Sequence, residues 1–133
     1  MKPFIIAVLF AAFASGAGAQ SMTDTLTWTV DNLTDMKTNV SSSYSCTFKT
    51  MGNNDITWVQ GGGTFLSTLT VTSVAGTWAD IKQAGNVTYA VTLGEKSGSI
   101  RFERNADGVS VTIDFTPAGG LWQKYRVTTI QSN

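Results

Sequence analysis

The chain has 133 residues, and its nine Lys and Arg residues balance its nine Asp and Glu residues, so the formal net charge at pH 7 is zero. No basic stripe is visible, which argues against a nucleic acid or an anionic membrane surface as the partner. The sequence contains no histidine, which excludes Ser-His-Asp and Cys-His catalysis and ordinary zinc or copper sites.

The first residues have the pattern of a cleaved secretory signal. After a positively charged start, Phe4 to Ala14 form an unbroken apolar run, and Ala17-Gly18-Ala19 is a small-x-small cleavage site. The run has about half of the roughly 20 residues that a membrane-spanning helix needs. We therefore predict a signal peptide over residues 1–19, cleavage before Gln20, and a single domain over residues 20–133. We expect that domain to be periplasmic or secreted, without membrane insertion, and of bacterial origin.

The rest of the chain alternates apolar residues with Thr or Ser, which is the pattern of half-buried β-strands. In the first run, Leu26, Trp28 and Val30 share one face and threonines occupy the other. The β-branched and aromatic content of these runs supports the same interpretation. The pattern predicts eight short strands, at residues 25–30, 43–50, 55–60, 64–74, 87–93, 99–104, 109–115 and 121–130.

Short connections rich in Gly, Asn and Asp join most of these strands, as tight antiparallel hairpins require. Two connections are longer, at residues 31–42 and 75–86. We expect a short helical turn in each, capped in the first by Asp31 or Asn32 and formed in the second by residues 79–83. Eight antiparallel strands in up-and-down order predict an all-β domain that forms a small barrel, with a two-sheet β-sandwich as the alternative.

The lone cysteine, Cys46, falls on the apolar face of the second strand, so we expect a buried thiol and no disulfide. The carboxylates do not suggest a general acid–base pair. They lie in turns or on solvent-facing strand positions, where cross-strand ion pairs explain them better; these residues are Asp80, Glu95, Glu103, Asp107 and Asp114. We therefore predict a protein that is not an enzyme and that holds no metal and no cofactor.

The tripeptide Gly76-Thr77-Trp78 matches Gly-x-Trp, a signature of lipocalins. The chain resembles a lipocalin-like (calycin) barrel in strand count and connection lengths, which implies a small barrel that carries an apolar ligand. In that family the signature opens the first strand, whereas here it follows the fourth. The first strand instead carries Trp28, and by the same resemblance Arg126 would stack on Trp28 through a cation–π contact. For Gly76-Thr77-Trp78 itself we expect that the glycine ends a strand and that Trp78 plugs one end of the core.

Aromatic side chains supply the candidate ligand-binding residues, which are Trp28, Tyr44, Trp58, Tyr89, Phe102, Trp122 and Tyr125. Most of these side chains, with Phe48, also crowd the predicted interior, so we expect a small cleft and not a deep cup. The leading hypothesis is an exported, non-enzymatic barrel that holds a small apolar or aromatic ligand near one open end. The alternative is a surface-acting β module for adhesion, inhibition or envelope assembly, whose exposed edge strand pairs with another protein.

Overall fold

The computed structural model describes residues 21–132, so the predicted signal peptide and its cleavage site lie outside the described residues. Within this range, no helix is long and apolar enough to cross a membrane. Two short 3₁₀ turns, at Gly61–Gly63 and Thr116–Ala118, interrupt a chain that is otherwise strand and turn. The strands are β1 (Thr25–Asp35), β2 (Val40–Met51), β3 (Ile56–Gln60), β4 (Phe65–Ala75), β5 (Gly85–Leu93), β6 (Lys96–Asn105), β7 (Gly108–Asp114) and β8 (Trp122–Ser132).

Each strand pairs antiparallel with the next one in the chain, and β8 pairs with β1, so the sheet closes into a barrel. The pairing of the first and last strands decides the architecture, with Trp28 on β1 opposite Ile130 on β8. The predicted up-and-down barrel is therefore confirmed, and the alternative of two packed sheets is wrong. In a closed barrel, every strand has a neighbour on both sides over part of its length. The edge strands of a sandwich have a neighbour on one side only.

The strands alternate in direction, so their connections gather at two ends of the barrel. The lower end carries the segment before β1 and the connections at residues 52–55, 76–84 and 106–107. The upper end carries the connections at residues 36–39, 61–64, 94–95 and 115–121.

Inward-facing side chains fill the barrel. Trp28 contributes most at the centre, with its ring 4.8 Å from that of Phe102 and 5.9 Å from that of Trp78. Phe48 stacks on Trp58 at a centroid distance of 5.6 Å. Ring pairs at these distances, tilted, offset or edge-to-face, are the favourable arrangements for aromatic side chains. The interior is thus a packed aromatic core, which agrees with the expectation of a small cleft and not a deep cup.

The connection predicted at residues 31–42 is mostly strand, and no helical turn forms there. β1 and β2 continue to Asp35 and Val40 and make a long hairpin, with a bulge between Val30 and Asn32. The turn is closed by the Asn39 amide, which donates to the Asp35 carbonyl over 2.7 Å, and Asn39 adopts the left-handed φ of 61°. The polar side chains of this extension predict a loop, but its backbone forms a strand pair. Pairing between β1 and β2, and not the burial of side chains, stabilises it.

The second long connection, at residues 76–84, also lacks the expected helix. The Asp80 carboxylate accepts the Lys82 amide at 3.0 Å, and the Asp80 carbonyl accepts the Gln83 amide at 3.0 Å. These are the bonds of a single turn, which the aspartate side chain stabilises locally. Ile81, only 1% exposed, anchors this turn in the core.

The strands are staggered, and two of them project beyond a neighbour at the upper end. Residues 40–45 of β2 pair with β1, but β3 begins to pair with β2 only at Cys46. Residues 65–69 of β4 pair with β3, but β5 begins to pair with β4 only at Thr70. The described residues therefore leave two short backbone edges without a neighbouring strand.

Candidate functional site

A cleft of about 220 Å³ opens at the lower end of the barrel, between the segment that precedes β1 and the chain that follows β4. We call it the lower cleft. Its walls are mainly apolar side chains from four parts of the chain, namely Met22, Val74, Trp78, Val87 and Tyr89. Val74 is 36% exposed although it is a large apolar residue on an inward-facing position, because nothing in the described chain covers this side of the cleft.

The path of the chain after β4 places Trp78 in the cleft wall. Gly76 has a φ of 89°, a conformation that favours glycine, and it turns the chain back beneath the barrel. The Trp78 indole N–H then donates to the Gln83 carbonyl over 2.9 Å. Gly85 is required beside the ring, because a Cβ there would lie 2.4 Å from Trp78 Cδ1. Trp78 is 5% exposed at this end of the core.

Tyr89 forms the inner wall of the lower cleft. It points inward from β5, with its ring 5.7 Å from Phe102 and its hydroxyl 3.4 Å from the Gly52 carbonyl oxygen, a long hydrogen bond. Burial raises the pKa of Tyr89 to about 12, so the hydroxyl is neutral at physiological pH. Tyr89 is only 1% exposed, so it closes the inner side of the cleft.

A second group of candidate residues meets at the upper end. Tyr44, Trp58 and Tyr125 lie close together, with the Tyr125 ring 6.2 Å from Tyr44 and 5.9 Å from Trp58. Two glutamines on inward positions satisfy the tyrosines: the Tyr44 hydroxyl donates to Gln60 Oε1, and the Tyr125 hydroxyl donates to Gln123 Oε1 at 2.6 Å. We call these five residues the upper cluster.

The upper cluster contains a buried donor without a partner. The Trp58 indole N–H makes no hydrogen bond within the described chain. The indole lies close to the Cys46 thiol, and this proximity lowers the pKa of the thiol. Burial has the larger effect and raises the pKa of Cys46 to about 11, so the thiol is neutral. Burial likewise raises the pKa of both Tyr44 and Tyr125 above the usual range. The cluster is therefore uncharged at neutral pH.

The remaining candidate aromatic residues are placed differently. Trp28 and Phe102 are fully buried, and Trp28 donates its indole N–H to Thr50 Oγ1 at 2.9 Å. Both are packing residues without access to a cleft. Trp122 lies half-buried on the outer wall, because its position on β8 alternates with the inward-facing Gln123. Of the seven aromatic candidates, Tyr89 is the one that lines the lower cleft.

The expectation that Arg126 stacks on Trp28 is wrong. Arg126 occupies an outward position on β8, between the inward-facing Tyr125 and Val127, so the barrel wall separates it from the Trp28 ring. Its guanidinium instead donates two hydrogen bonds to the Asp31 carboxylate, at 2.9 and 3.0 Å. This pair lowers the pKa of Asp31 and raises that of Arg126, in each case mainly through the hydrogen bond.

The sequence interpretation missed the glutamines and the outer parts of the lower cleft. Period-two alternation places Gln60 with Trp58, and Gln123 with Tyr125, so an inward glutamine was the signal that could have revealed the upper cluster. Met22 and Val74 gave no such signal. They line the lower cleft only because the segment before β1 and the end of β4, which are distant in the sequence, meet at the lower end of the barrel.

Apolar side chains dominate the lower cleft, and the polar side chains of the upper cluster are neutral. Residues 21–132 contain no group of three or more Cys, Asp or Glu side chains that could hold a metal ion. Comparison of the chain with protein-family models, with curated proteins and with solved structures finds no match.

Proposed function

We propose that the protein is an exported, non-enzymatic barrel of lipocalin-like kind that takes a small apolar or aromatic ligand in the lower cleft. The observation that carries this proposal is the cleft itself, which is open, largely apolar, and walled by Trp78 and Tyr89 at one end of a closed barrel. Concave apolar sites with a few convergent polar groups, at the mouths of barrels, are where small ligands bind.

The size of the cleft limits the ligand. Its volume of about 220 Å³ is below the range of roughly 300–1,000 Å³ that is usual for drug-sized ligands. The interior beyond it is closed by the Trp28 ring, 5.9 Å from Trp78. A single aromatic ring or a short acyl chain fits this space, whereas a sterol or a tetrapyrrole does not.

Two measurements test the proposal. Native mass spectrometry of the mature protein purified from its own host should show a retained small adduct, which would also help to identify the ligand. Titration with indole as a one-ring probe, followed by ¹H–¹⁵N correlation spectra, should shift the amides around Trp78 and Tyr89 in a saturable manner.

The matched variants are Val74→Phe and Val40→Phe. Val74 faces the cleft, so a phenyl ring there should fill it and weaken indole binding by about tenfold or more. Val40 is 63% exposed on the hairpin at the other end, so the same change there should leave binding unaltered. A clean mass together with the absence of saturable shifts would contradict the proposal.

The alternative, a surface-acting module, is favoured by one observation. The free edge of β4 carries Phe65 and Leu66, which are 65% and 67% exposed, and β4 itself contains no charged residue. Exposed strand edges pair with strands of other proteins. If this edge is the functional surface, a protein partner captured in the host should be lost with Leu66→Lys. It should be retained with Thr47→Lys, on β2 where both neighbouring strands are paired.

A further inference from the structure

A groove of about 420 Å³ crosses the outer wall of the barrel, larger than the lower cleft and remote from its lining. Outward-facing residues of β1, β2, β7 and β8 form its floor, and the turns at residues 36–39 and 105–108 contribute to its ends. We call it the outer groove. Its volume lies within the range of small-molecule sites, roughly 300–1,000 Å³.

The outer wall of a barrel is ordinarily convex, so a groove there needs a local cause. The bulge between Val30 and Asn32 shifts the register of β1 against both β2 and β8. A bulge bends its strand and increases the local twist. The polar hairpin beyond the bulge, residues 31–45, forms one side of the groove together with β8 and β7.

Three polar side chains in the groove have no hydrogen-bond or ion-pair partner among the described residues. Ser110 faces outward from β7, yet it is only 8% exposed, because it lies at the groove floor. Asn32 and Lys124 are half-buried on β1 and β8. Within residues 21–132, none of these three side chains makes a hydrogen bond or an ion pair, so their polar atoms are free to bind a ligand in place of water.

The charges of the groove differ in their pairing. Arg126 donates two hydrogen bonds to the Asp31 carboxylate, so its charge is compensated. Asp107 lies in the turn at one end, and its amide is bound by Asn105 Oδ1 at 2.8 Å. Lys124 is the groove cation without a carboxylate partner among the described residues. The Asp107 carboxylate is likewise without a partner among residues 21–132, but it lies at the end of the groove, five residues from Thr112, the β7 partner of Lys124. The groove thus presents an unpaired cation and, at its end, an unpaired carboxylate among hydroxyl and amide groups.

We propose that the outer groove binds a carboxylate-bearing saccharide unit. Lys124 would pair with the carboxylate, and Asn32 and Ser110 would hydrogen-bond to ring hydroxyls. The lining supports a polar ligand, because Thr34, Ser41 and the asparagines outnumber its apolar members, Met36 and Val109. No aromatic ring lines the groove for a sugar to stack on, so the affinity rests on hydrogen bonds and on one ion pair.

The test uses three probes on the mature protein, followed by ¹H–¹⁵N correlation spectra. D-glucuronate should shift the amides of Asn32, Ser110 and Lys124 in a saturable manner. Glucose has the hydroxyls without the charge, and acetate has the charge without the hydroxyls; each should bind at least about tenfold more weakly. The amides lining the lower cleft should not respond to any of the three, which separates this site from the proposed apolar one.

The matched variants are Lys124→Gln and Lys96→Gln. Lys124→Gln removes the charge and keeps most of the side-chain length, so glucuronate should then bind no better than glucose. Lys96 is exposed at the start of β6, outside the groove, and Lys96→Gln should bind glucuronate as the unchanged protein does. The proposal is overturned if glucuronate gives no saturable shifts in the groove, if acetate binds as tightly, or if Lys124→Gln has no effect in a protein whose spectrum remains dispersed.

Discussion

The indole N–H of Trp28 donates to the Thr50 hydroxyl over 2.9 Å at a place where both residues are completely buried. The bond links β1 to β2 inside the barrel and explains why a threonine stands on an inward position of an otherwise apolar core. Tryptophan brings a large apolar surface together with one donor that must be satisfied once it is buried. Thr50 supplies the acceptor, so the largest side chain of the core is buried without an unpaired polar group.

Replacement of Thr50 by valine should therefore destabilise the protein although valine has nearly the same shape. The change leaves the Trp28 N–H buried without an acceptor, which costs about 1–3 kcal/mol. The free energy of unfolding, measured by denaturant titration with intrinsic fluorescence, reports this loss. Thr47→Val is the control, because Thr47 lies on the outer face of the same strand and has no side-chain hydrogen bond in the described chain. Equal stabilities of the two variants would contradict the role assigned to the bond.

Period-two alternation predicted the inward residues of the barrel well, because one strand face is buried throughout. Leu26, Trp28 and Val30 lie inside as expected. The hairpin at residues 31–42 was missed because its side chains are polar and its stability comes from pairing between strands. Barrel closure is a contact between residues of β1 and β8 that lie 88 to 106 positions apart in the sequence, and no local pattern distinguishes it from a sandwich.

The candidate sites were less predictable than the fold. Sequence alone grouped Trp28, Phe102 and Tyr89 as one aromatic face; all three are buried, but only Tyr89 among them also lines a cleft. The difference depends on the course of residues 76–84 beneath the barrel. The outer groove depends on a bulge, and a one-residue change of register leaves no clear mark in an alternating sequence.

The contact between Gly85 and Trp78 gives a second prediction. A Cβ at position 85 would lie 2.4 Å from Trp78 Cδ1 and 2.7 Å from its Nε1, so Gly85→Ala must displace the indole from the lower end of the core. Overpacking of this kind costs about 1–3 kcal/mol. The melting temperature should fall, and the emission spectrum of Trp78 should shift to the red as the ring gains contact with water.

The control for this prediction is the same substitution in a protein that lacks the indole. In a Trp78→Ala background, Gly85→Ala should cost much less, because the clash has been removed. The coupling free energy between the two positions is the quantity to measure. If the effects of the two substitutions were additive, position 85 would require glycine for its backbone conformation and not for the space that glycine leaves beside the Trp78 ring.

Alkaline pH should destabilise the fold. Burial raises the pKa of Cys46 from 9.0 to about 11 and that of Tyr89 from 10.0 to about 12. The unfolded chain loses these protons at the lower values, so between pH 9 and 12 it binds fewer protons than the folded chain. The free energy of unfolding therefore falls as the pH rises through this interval, and the contribution is fully present below about pH 9. Chemical denaturation at a series of pH values measures it.

Cys46→Ala separates the contribution of the thiol to this pH dependence from that of the tyrosines whose pKa burial raises, Tyr44, Tyr89 and Tyr125. Without the thiol, the decrease should begin near pH 10, where the tyrosines of the unfolded chain start to ionise, and not near pH 9. Identical pH profiles for the variant and the unchanged protein would show that the Cys46 thiol does not carry the first part of the loss.

The thiol of Cys46 should be nearly unreactive in the folded protein. It is 6% exposed, and with a pKa of about 11 only about one thiol in a thousand is ionised at pH 8. Labelling by Ellman's reagent should therefore be slow under native conditions and rapid in denaturant. The matched control moves the thiol by one residue: Ser45→Cys in a Cys46→Ala background places it on the exposed face of the same strand. Because successive strand residues point to opposite faces, this variant should react at the rate of a free thiol. Rapid labelling of Cys46 itself at pH 8, in a protein that remains folded, would mean that the upper part of β2 opens to solvent.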